Sequence, residues 1–531
     1  MPRATEYRKC RRALREITYM ITVQLNKADF EYDIHSLVKA FFPSENVSVS
    51  AEKKEPDEPV SAHMDIDFHD RMIDVCWRDE AHGEVREQIS CSSDDRLDVK
   101  NDLKIGLYDM LVKLTGQELP WGSLTGIRPT KIPMQLLEQG KTEEEITAYM
   151  KHQYHASDEK IALAIDIAKR ERALLSKLDY KDGFSLYIGI PFCPSTCLYC
   201  SFTSYPLGAW KKQVDTYLDA LERELDYAKE TFGGKKLNSI YIGGGTPTTL
   251  EPEQLDRLLS MIEERFDFSH LLEFTVEAGR PDSITREKLM AIKAHPAVDR
   301  ISVNPQTMKD ETLKVIGRHH TVAQTIESFK LAREIGFTNI NMDLILGLPG
   351  ETLDDVKRTM ERIRELHPDN LTVHSLALKR AAKLNICRDE YKDFKIEITP
   401  EHGHVTEAGA RAMGMVPYYL YRQKNMAGNF ENVGYGLPGK EGIYNILIME
   451  EKQTILALGA GSISKRVYPD GRIERCENVK DVAQYMERID EMIERKKDLF
   501  RDVSFVSTIA HCHEERPLSR CLQCKRKGQP I

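Results

Sequence analysis

The sequence predicts an α/β protein built around a partial, open (β/α)6 barrel, with an N-terminal α+β module before it and a C-terminal α+β extension after it. Two observations carry that prediction. First, six apolar β-type runs (184–190, 239–242, 272–277, 300–304, 340–345 and 371–377) alternate with five amphipathic stretches (214–229, 252–265, 286–293, 322–335 and 353–366). Strands alternating with helices in this way form parallel βαβ units with right-handed crossovers, and six units are too few to close an eight-fold barrel. Second, the polar residues of these units gather at the carboxyl ends of the runs, where barrels of this kind place their chemistry. A cysteine loop follows the first run and Gly243-Gly-Gly-Thr-Pro-Thr248 the second. Glu277 ends the third and Asn304-Pro-Gln306 the fourth. Asp343 sits in the fifth, before Gly347-Leu-Pro-Gly350, and residues 374–377 end the sixth.

At 531 residues the chain is too long for one core. We divide it into an N-terminal α+β module (1–115), a connector with helices (116–180), the partial barrel (181–380), and a C-terminal substrate-covering region and tail (381–531). In the module, 19–25, 63–69 and 72–77 read as strands. The second of these alternates Met64, Ile66 and Phe68 with Asp65 and Asp67. Residues 52–59 read as a loop, and 98–114 as a helix with Leu103, Leu107, Leu111 and Leu114 on one face. The stretch 116–133 is rich in Gly and Pro and marks a connector, in which Trp121 and Arg128 read as packing residues. Helices are expected at 143–151 and 159–175. Beyond the barrel, 413–421 and 442–449 read as strands, 456–464 as a glycine-bearing turn after a short apolar run, and 482–501 as a charged helix.

The net charge of −9, from 75 basic and 84 acidic residues, argues against a general nucleic-acid binder. The chain starts without an apolar signal region, and no apolar run is long enough to span a bilayer. Eleven irregularly spaced cysteines read as thiols and ligands in a cytoplasmic protein, not as a disulfide framework.

Cys193, Cys197 and Cys200 have the spacing Cys-x3-Cys-x2-Cys on one short loop. Three soft thiolates suit an iron–sulfur cluster or zinc. A zinc knuckle completed by a distant residue and a set of buried thiols are the alternatives. A four-iron cluster normally takes four cysteines, so three leave one iron open. Tyr199, between two of the cysteines, reads as a cover or as packing. Gly244 and Gly245 remove side chains where backbone must approach a ligand, or simply make a tight turn. Glu277, Asp343 and Arg318 need partners if buried, and a structural ion pair is the plain explanation. An inward carboxylate at Asp343 suits a ribose diol or an ammonium group, and Gln306 both donates and accepts as ribose recognition requires. His319, His320 and His374 read individually as solvated or hydrogen-bonded histidines. His511, Cys512, His513, Cys521 and Cys524 form a second possible ligand set, against a thiol-bearing tail.

These motifs resemble a known family. Cys193-x3-Cys197-x2-Cys200 is similar to the radical S-adenosylmethionine (SAM) signature. Together with Tyr187-Ile-Gly-Ile-Pro-Phe-Cys193, Gly243-Gly-Gly-Thr-Pro-Thr248, Val276-Glu-Ala-Gly-Arg-Pro-Asp282, Arg300-Ile-Ser-Val-Asn-Pro-Gln306, Gly317-Arg-His-His320 and Asn341-Met-Asp-Leu-Ile-Leu-Gly-Leu-Pro349, it resembles the oxygen-independent coproporphyrinogen III oxidase family. The N-terminal module and connector resemble its longer, coproporphyrinogen dehydrogenase-like branch. The resemblance implies that Cys193, Cys197 and Cys200 hold a 4Fe–4S cluster whose open iron chelates SAM. It also implies that Gly244, Gly245 and Thr246 contact SAM, that Glu277, Gln306, Arg318 and Asp343 complete its pocket, and that Tyr187 and Tyr199 line it. Tyr187 is also the expected catalytic residue, and Ala377 and Ile463 fall near a second SAM. The implied reaction is hydrogen abstraction from a porphyrinogen propionate by a SAM-derived radical, loss of CO2 and formation of a vinyl group, with electrons from a flavodoxin or ferredoxin. Two positions depart from the pattern. Phe202 stands where the decarboxylases carry a further cysteine and is similar to the haem-chaperone branch, which binds haem. Gly189 replaces a histidine usual in both branches.

Overall fold

The computed structural model describes residues 19–52, 55, 56, 58–180, 182–377, 382, 384, 398–423, 430–501 and 503. Cys10 and the His511–Cys524 ligand set lie outside them. The N-terminal residues form a sheet of β1 (Met20–Leu25), β2 (Asn46–Ser50), β3 (Val60–His69), β4 (Met72–Asp79) and β5 (Gly83–Ser90), in the order β2-β1-β3-β4-β5. β1 runs parallel to β2 and β3, and the remaining pairs are antiparallel. Met64, Ile66 and Phe68 point into a core with Leu103, Leu107 and Leu111 of the helix Arg96–Thr115, so the alternation in 63–69 gave the correct face. The sequence reading lacks the helix Glu31–Phe41, β2 and β5. That helix starts from Phe30 in the left-handed region (φ 57°) without a capping side chain, so it carries no start signal. β2 and β5 are the two edges of the sheet, short or charged as edges tend to be.

The connector ends earlier than its prolines suggest. The helix Lys131–Glu138 takes Pro133 into its first turn, where backbone N–H groups have no partner to lose. The helices Glu143–Tyr154 and Asp158–Leu175 follow. Trp121 is fully buried and donates its indole N–H to Glu431 (2.8 Å). Arg128 bonds the Met449 carbonyl (2.6 Å) and pairs with Glu451 (3.1 Å). Trp121 is thus packed in the core, while Arg128 is held by an ion pair.

The central sheet starts at β6 (Gly183–Ile190). A two-residue pair, β7 (Phe192–Cys193) and β8 (Tyr205–Pro206), brackets the cysteine loop. Then come β9 (Lys236–Gly244), β10 (Glu273–Glu277), β11 (Arg300–Ser302), β12 (Ile340–Leu346) and β13 (Asn370–Ser375). The six strands β6 and β9 to β13 lie side by side, all parallel, in chain order β6-β9-β10-β11-β12-β13. The helices Val214–Phe232, Pro252–Glu263, Arg286–Lys293, Val322–Ile335 and Leu353–Leu366 connect them, as predicted, with one further short helix, Asp310–Val315.

The sheet continues on both sides. β14 (Val416–Tyr421) and β15 (Asn432–Gly436) extend it antiparallel beyond β13. β16 (Thr454–Leu458) joins parallel to β6, followed by antiparallel β17 (Ile463–Val467) and β18 (Ile473–Glu477). The result is one open sheet of eleven strands.

Two sequence expectations are corrected. Residues 442–449 form the helix Ile443–Glu450, not a strand, because Ile443, Tyr444, Ile446, Leu447 and Glu450 are buried at helical spacing. A continuous apolar run does not by itself separate the two conformations. The expected helix 482–501 is two helices, Val482–Glu487 and Ile489–Leu499.

The two faces of the six parallel strands differ in kind. Leu186, Ile188, Ile240, Ile242, Phe274, Val276, Ile301, Met342, Leu344, Leu371 and Val373 belong to the core under the helices. Register aligns the other face as Ser185–Ser239, Tyr187–Tyr241, Tyr241–Thr275, Glu277–Ser302, Ser302–Asn341 and Asp343–Thr372. A closed barrel fills its interior with packed aliphatic layers; here the inner face is polar. The helix Ile443–Glu450 meets its amino-terminal end, where the Tyr444 amide bonds Glu273 (3.0 Å) and the Tyr444 ring stacks on Tyr241 (4.7 Å between centroids).

Candidate active site and cofactor-binding residues

The carboxyl edge of the sheet carries the site. Cys193, Cys197 and Cys200 are free thiols, with Cys197 buried and the others half-buried. The loop that holds them is pinned by backbone bonds from Leu198 to Ile316 (2.9 Å), Cys200 to Cys197 (3.2 Å) and Tyr205 to Pro191 (2.8 Å). Burial pushes the Cys193 thiol up and the Cys200 thiol up to about 11. Among the described residues no group of three or more His, Cys, Asp or Glu converges on one ion. Tyr199 is half-buried beside the loop, its phenol pushed well up by burial.

The glycine turn after β9 lies against this loop. A Cβ on Gly245 would sit 2.5 Å from the Phe192 carbonyl and 2.8 Å from that of Ile190, and one on Gly244 (φ 99°) would meet the Tyr187 hydroxyl at 3.2 Å. Glycine is therefore required for the close approach at Gly245 and for the left-handed backbone at Gly244. Thr246 is buried with its hydroxyl 3.5 Å from the Cys193 sulfur.

Glu277 ends β10 and accepts from the Tyr241 hydroxyl, from Ser302 (3.2 Å) and from Asn304 (3.3 Å). Burial, then the neighbouring Asp343, raises its carboxyl to about 6. Asp343 behaves oppositely. Burial opposes its charge, but His374 (3.8 Å) and Asn341 (2.7 Å) outweigh it and hold the carboxyl below the ordinary range. Of this like-charged pair, Glu277 takes up a proton first. Tyr187 lies near-parallel to the stacked pair Tyr241 and Tyr444, 6.3 and 6.1 Å from them between centroids, and burial followed by the Glu277 charge pushes its phenol up, keeping it protonated.

Gln306 adopts φ 67° and is pinned by backbone bonds from its own amide to Asp343 (2.9 Å) and from Ile345 to its carbonyl (3.0 Å). A non-glycine residue in the left-handed region is uncommon, and strained positions of this kind cluster at functional sites. Arg318 is 5% exposed and donates to the carbonyls of Asn304 and Gly279 (2.9 Å). Among the described residues its Nε has no partner and no carboxylate pairs with it. Ala377 lies just past β13 and is half-buried, and Ile463 opens β17 at 41% exposure. The contacts above include neither, although a Cβ on Gly461, two residues before Ile463, would meet Thr203 at 3.0 Å.

Sequence reasoning overlooked Tyr241, which binds Glu277, and Arg280, which reaches the cysteine loop. Tyr241 shares the inner face of β9 with Gly243, so period-two alternation could have found it. Arg280 has no local signal, because it acts on residues far away in the chain.

A polar, open α/β sheet with three free thiols, a glycine cradle and a buried guanidinium at its carboxyl edge defines a radical SAM domain, and the Radical SAM superfamily profile matches residues 187–363. The chain belongs to the oxygen-independent coproporphyrinogen III oxidase-like family. It is 43% identical to the oxygen-independent coproporphyrinogen-III oxidase-like protein HemZ of Bacillus subtilis over 418 residues, 78% of this chain and 83% of the relative. It is 32% identical to the heme chaperone HemW of Lactococcus lactis, over 61% of this chain and 80% of that one. The structure of coproporphyrinogen III oxidase (HemN) from Escherichia coli, 25% identical, covers 60% of this chain and 72% of its own, with a TM-score of 0.47.

The superfamily's cofactors are a 4Fe–4S cluster and SAM, and the residues present fit both. The thiols are unbridged, the glycine turn packs against the backbone of their loop with Gly244 exposed, and among the described residues the buried Arg318 lacks an anion.

Proposed function

We propose that this chain is a radical SAM oxidoreductase that decarboxylates the propionates of coproporphyrinogen III to vinyl groups in porphyrin biosynthesis. The observation that carries the reading is the polar inner face, closed at its amino end by Tyr444 and ending at its carboxyl edge beside Cys193, Cys197 and Cys200. The extent of similarity to the oxidase-like relative, 78% of the chain, supports the substrate class.

The three cysteines would hold the cluster, which with SAM supplies one-electron hydrogen-abstraction chemistry. Gly244, Gly245 and Thr246 would present backbone and a hydroxyl to SAM. Arg318 would pair with its carboxylate, while Glu277, Gln306 and Asp343 would receive its ammonium and ribose groups. Tyr187 and Tyr199 would screen the site from water, Tyr187 on the substrate side, and Ala377 and Ile463 would border a second SAM. No helix among the described residues is long and apolar enough to cross a membrane. We place the enzyme in the cytoplasm, reduced by a flavodoxin- or ferredoxin-type donor.

The test is anaerobic incubation of the reconstituted protein with SAM, a strong reductant and coproporphyrinogen III. CO2 release with protoporphyrinogen formation is expected; SAM cleavage without either refutes the substrate. A second reading, haem binding and delivery, rests on Phe202, which is 71% exposed at the edge of the cysteine loop. A haem titration that gives a Soret shift at one equivalent, with no decarboxylation, would favour it.

A further inference from the structure

Arg280 lies in the turn after β10, next to the short 3-10 segment Pro281–Ser283, and is 3% exposed. Each of its donor groups is engaged. Nε and Nη2 form a fork to the two oxygens of Asp282 (2.9 and 2.8 Å). Nη2 also donates to the Ser195 hydroxyl (3.1 Å), and Nη1 donates to the Ser195 carbonyl (3.1 Å) and to the sulfur of Cys197 (3.5 Å). These contacts match the five N–H bonds of a guanidinium, a geometry that lysine cannot reproduce. The Ser195 hydroxyl in turn donates to the Gly317 carbonyl (2.9 Å). The cluster loop, the turn after β10 and the segment leading to Arg318 are thereby joined through one side chain.

The donor to Cys197 is a charged one. Cys193 meets a neutral hydroxyl, Thr246, at 3.5 Å, and Cys200 accepts from the neutral Phe202 amide and Ser204. A hydrogen bond from a guanidinium withdraws electron density from a thiolate sulfur, and hydrogen bonds to ligand sulfurs, net charge and exposure set the potential of a cluster. Reduction adds negative charge to a site already carrying three thiolates, so an N–H donor on one sulfur favours the reduced state. Asp282 fixes the guanidinium and offsets its charge. His320 stands behind Asp282 at 3.9 Å, without a hydrogen-bond partner among the described residues.

We propose that Arg280 is a positioning residue that raises the reduction potential of the cluster held by Cys193, Cys197 and Cys200 through its N–H···S bond to Cys197, with Asp282 as the orienting counter-charge. The inference rests on the cluster assignment above and adds to it how that cluster is tuned.

The experiment uses the full chain, reconstituted anaerobically, with iron counted per chain and the cluster titrated against potential by electron paramagnetic resonance. Arg280→Met is expected to shift the reduced-to-oxidised ratio at fixed potential about tenfold towards oxidised, roughly 59 mV for a one-electron couple. Asp282→Asn, which unmasks the guanidinium charge, is expected to shift it tenfold the other way. Ser195→Ala removes a staple to the same loop but no N–H···S bond and is expected to leave the potential in place, a pattern that a merely structural Arg280 would not give. Wild-type potentials in Arg280→Met and Asp282→Asn at full iron content overturn the proposal. If Arg280→Met fails to retain iron, Asp282→Asn decides alone: a raised potential supports the proposal and an unchanged one overturns it. A wild-type chain that binds no iron overturns the cluster assignment itself, a separate result.

Discussion

Arg318→Met separates a residue built for a ligand from one built for the fold. Breaking a buried structural ion pair strands a charge and costs about 3–5 kcal/mol. Among the described residues Arg318 has no carboxylate partner to strand, and its bonds go to the carbonyls of Asn304 and Gly279. Removing it loses two charge-assisted hydrogen bonds, about 1.5–3 kcal/mol each. It also relieves the several kcal/mol of keeping an ion out of water. These opposing effects should leave the ligand-free protein within about 2 kcal/mol of wild type. Binding should respond very differently. Losing a charge-assisted contact to the SAM carboxylate costs about 1.5–3 kcal/mol, or roughly 10- to 150-fold in Kd. Urea unfolding of the ligand-free chain and calorimetric titration of the reconstituted protein with SAM measure the two quantities. A loss of more than about 3 kcal/mol in stability with unchanged SAM affinity would show that Arg318 staples the strand ends and does not receive the ligand.

The other predictions concern charge buried inside the sheet. Glu277 titrates at about 6 in the folded chain against an ordinary 4.5, so the native state holds the extra proton between those values. Its contribution to stability is full below pH 4.5 and is lost as pH rises through 6, about 2 kcal/mol in all. Asp343→Asn removes the like charge, lowers the Glu277 midpoint and should flatten the slope of unfolding free energy over that interval; an unaltered slope would refute the coupling. Lys496 is buried against Glu224 (2.6 Å), whose other oxygen receives the Gly459 amide (2.7 Å). Lys496→Met should cost about 3–5 kcal/mol in urea unfolding, with Glu224→Gln in the same chain recovering much of it. A cost below about 1 kcal/mol would mean that the network does not hold the turn before Ile463.

The sequence displayed the sheet more readily than the chamber it encloses. Each of the six parallel strands contributes aliphatic residues to the layer beneath the helices, and that layer made the runs visible. Glu-Phe-Thr-Val-Glu in β10 and Asn-Met-Asp-Leu in β12 also show strict alternation. Alternation signals a strand with only one apolar face, so the polar interior was legible in principle, and Tyr241 with it. The helix Ile443–Glu450 was not, because an eight-residue apolar stretch carries no conformational label until Glu273 and Tyr241 give it a surface to bury against.

The residues at the carboxyl edge follow a different logic. Glu277, Gln306 and Asp343 could be placed there from sequence because Glu277 terminates a strand, Asp343 precedes the end of one and Gln306 follows one, and strand ends converge in any parallel sheet. Arg280 occupies the same edge yet gave no sign of its role, because its partners Ser195 and Cys197 are more than eighty residues earlier in the chain. No local period connects positions so far apart. Their meeting depends on β6 and β10 being two strands apart with β9 between them, and on the turn of β10 leaning across that gap. A ligand loop can therefore be recognised from its own spacing, whereas the side chain that tunes it becomes visible only when strand order brings the two turns together.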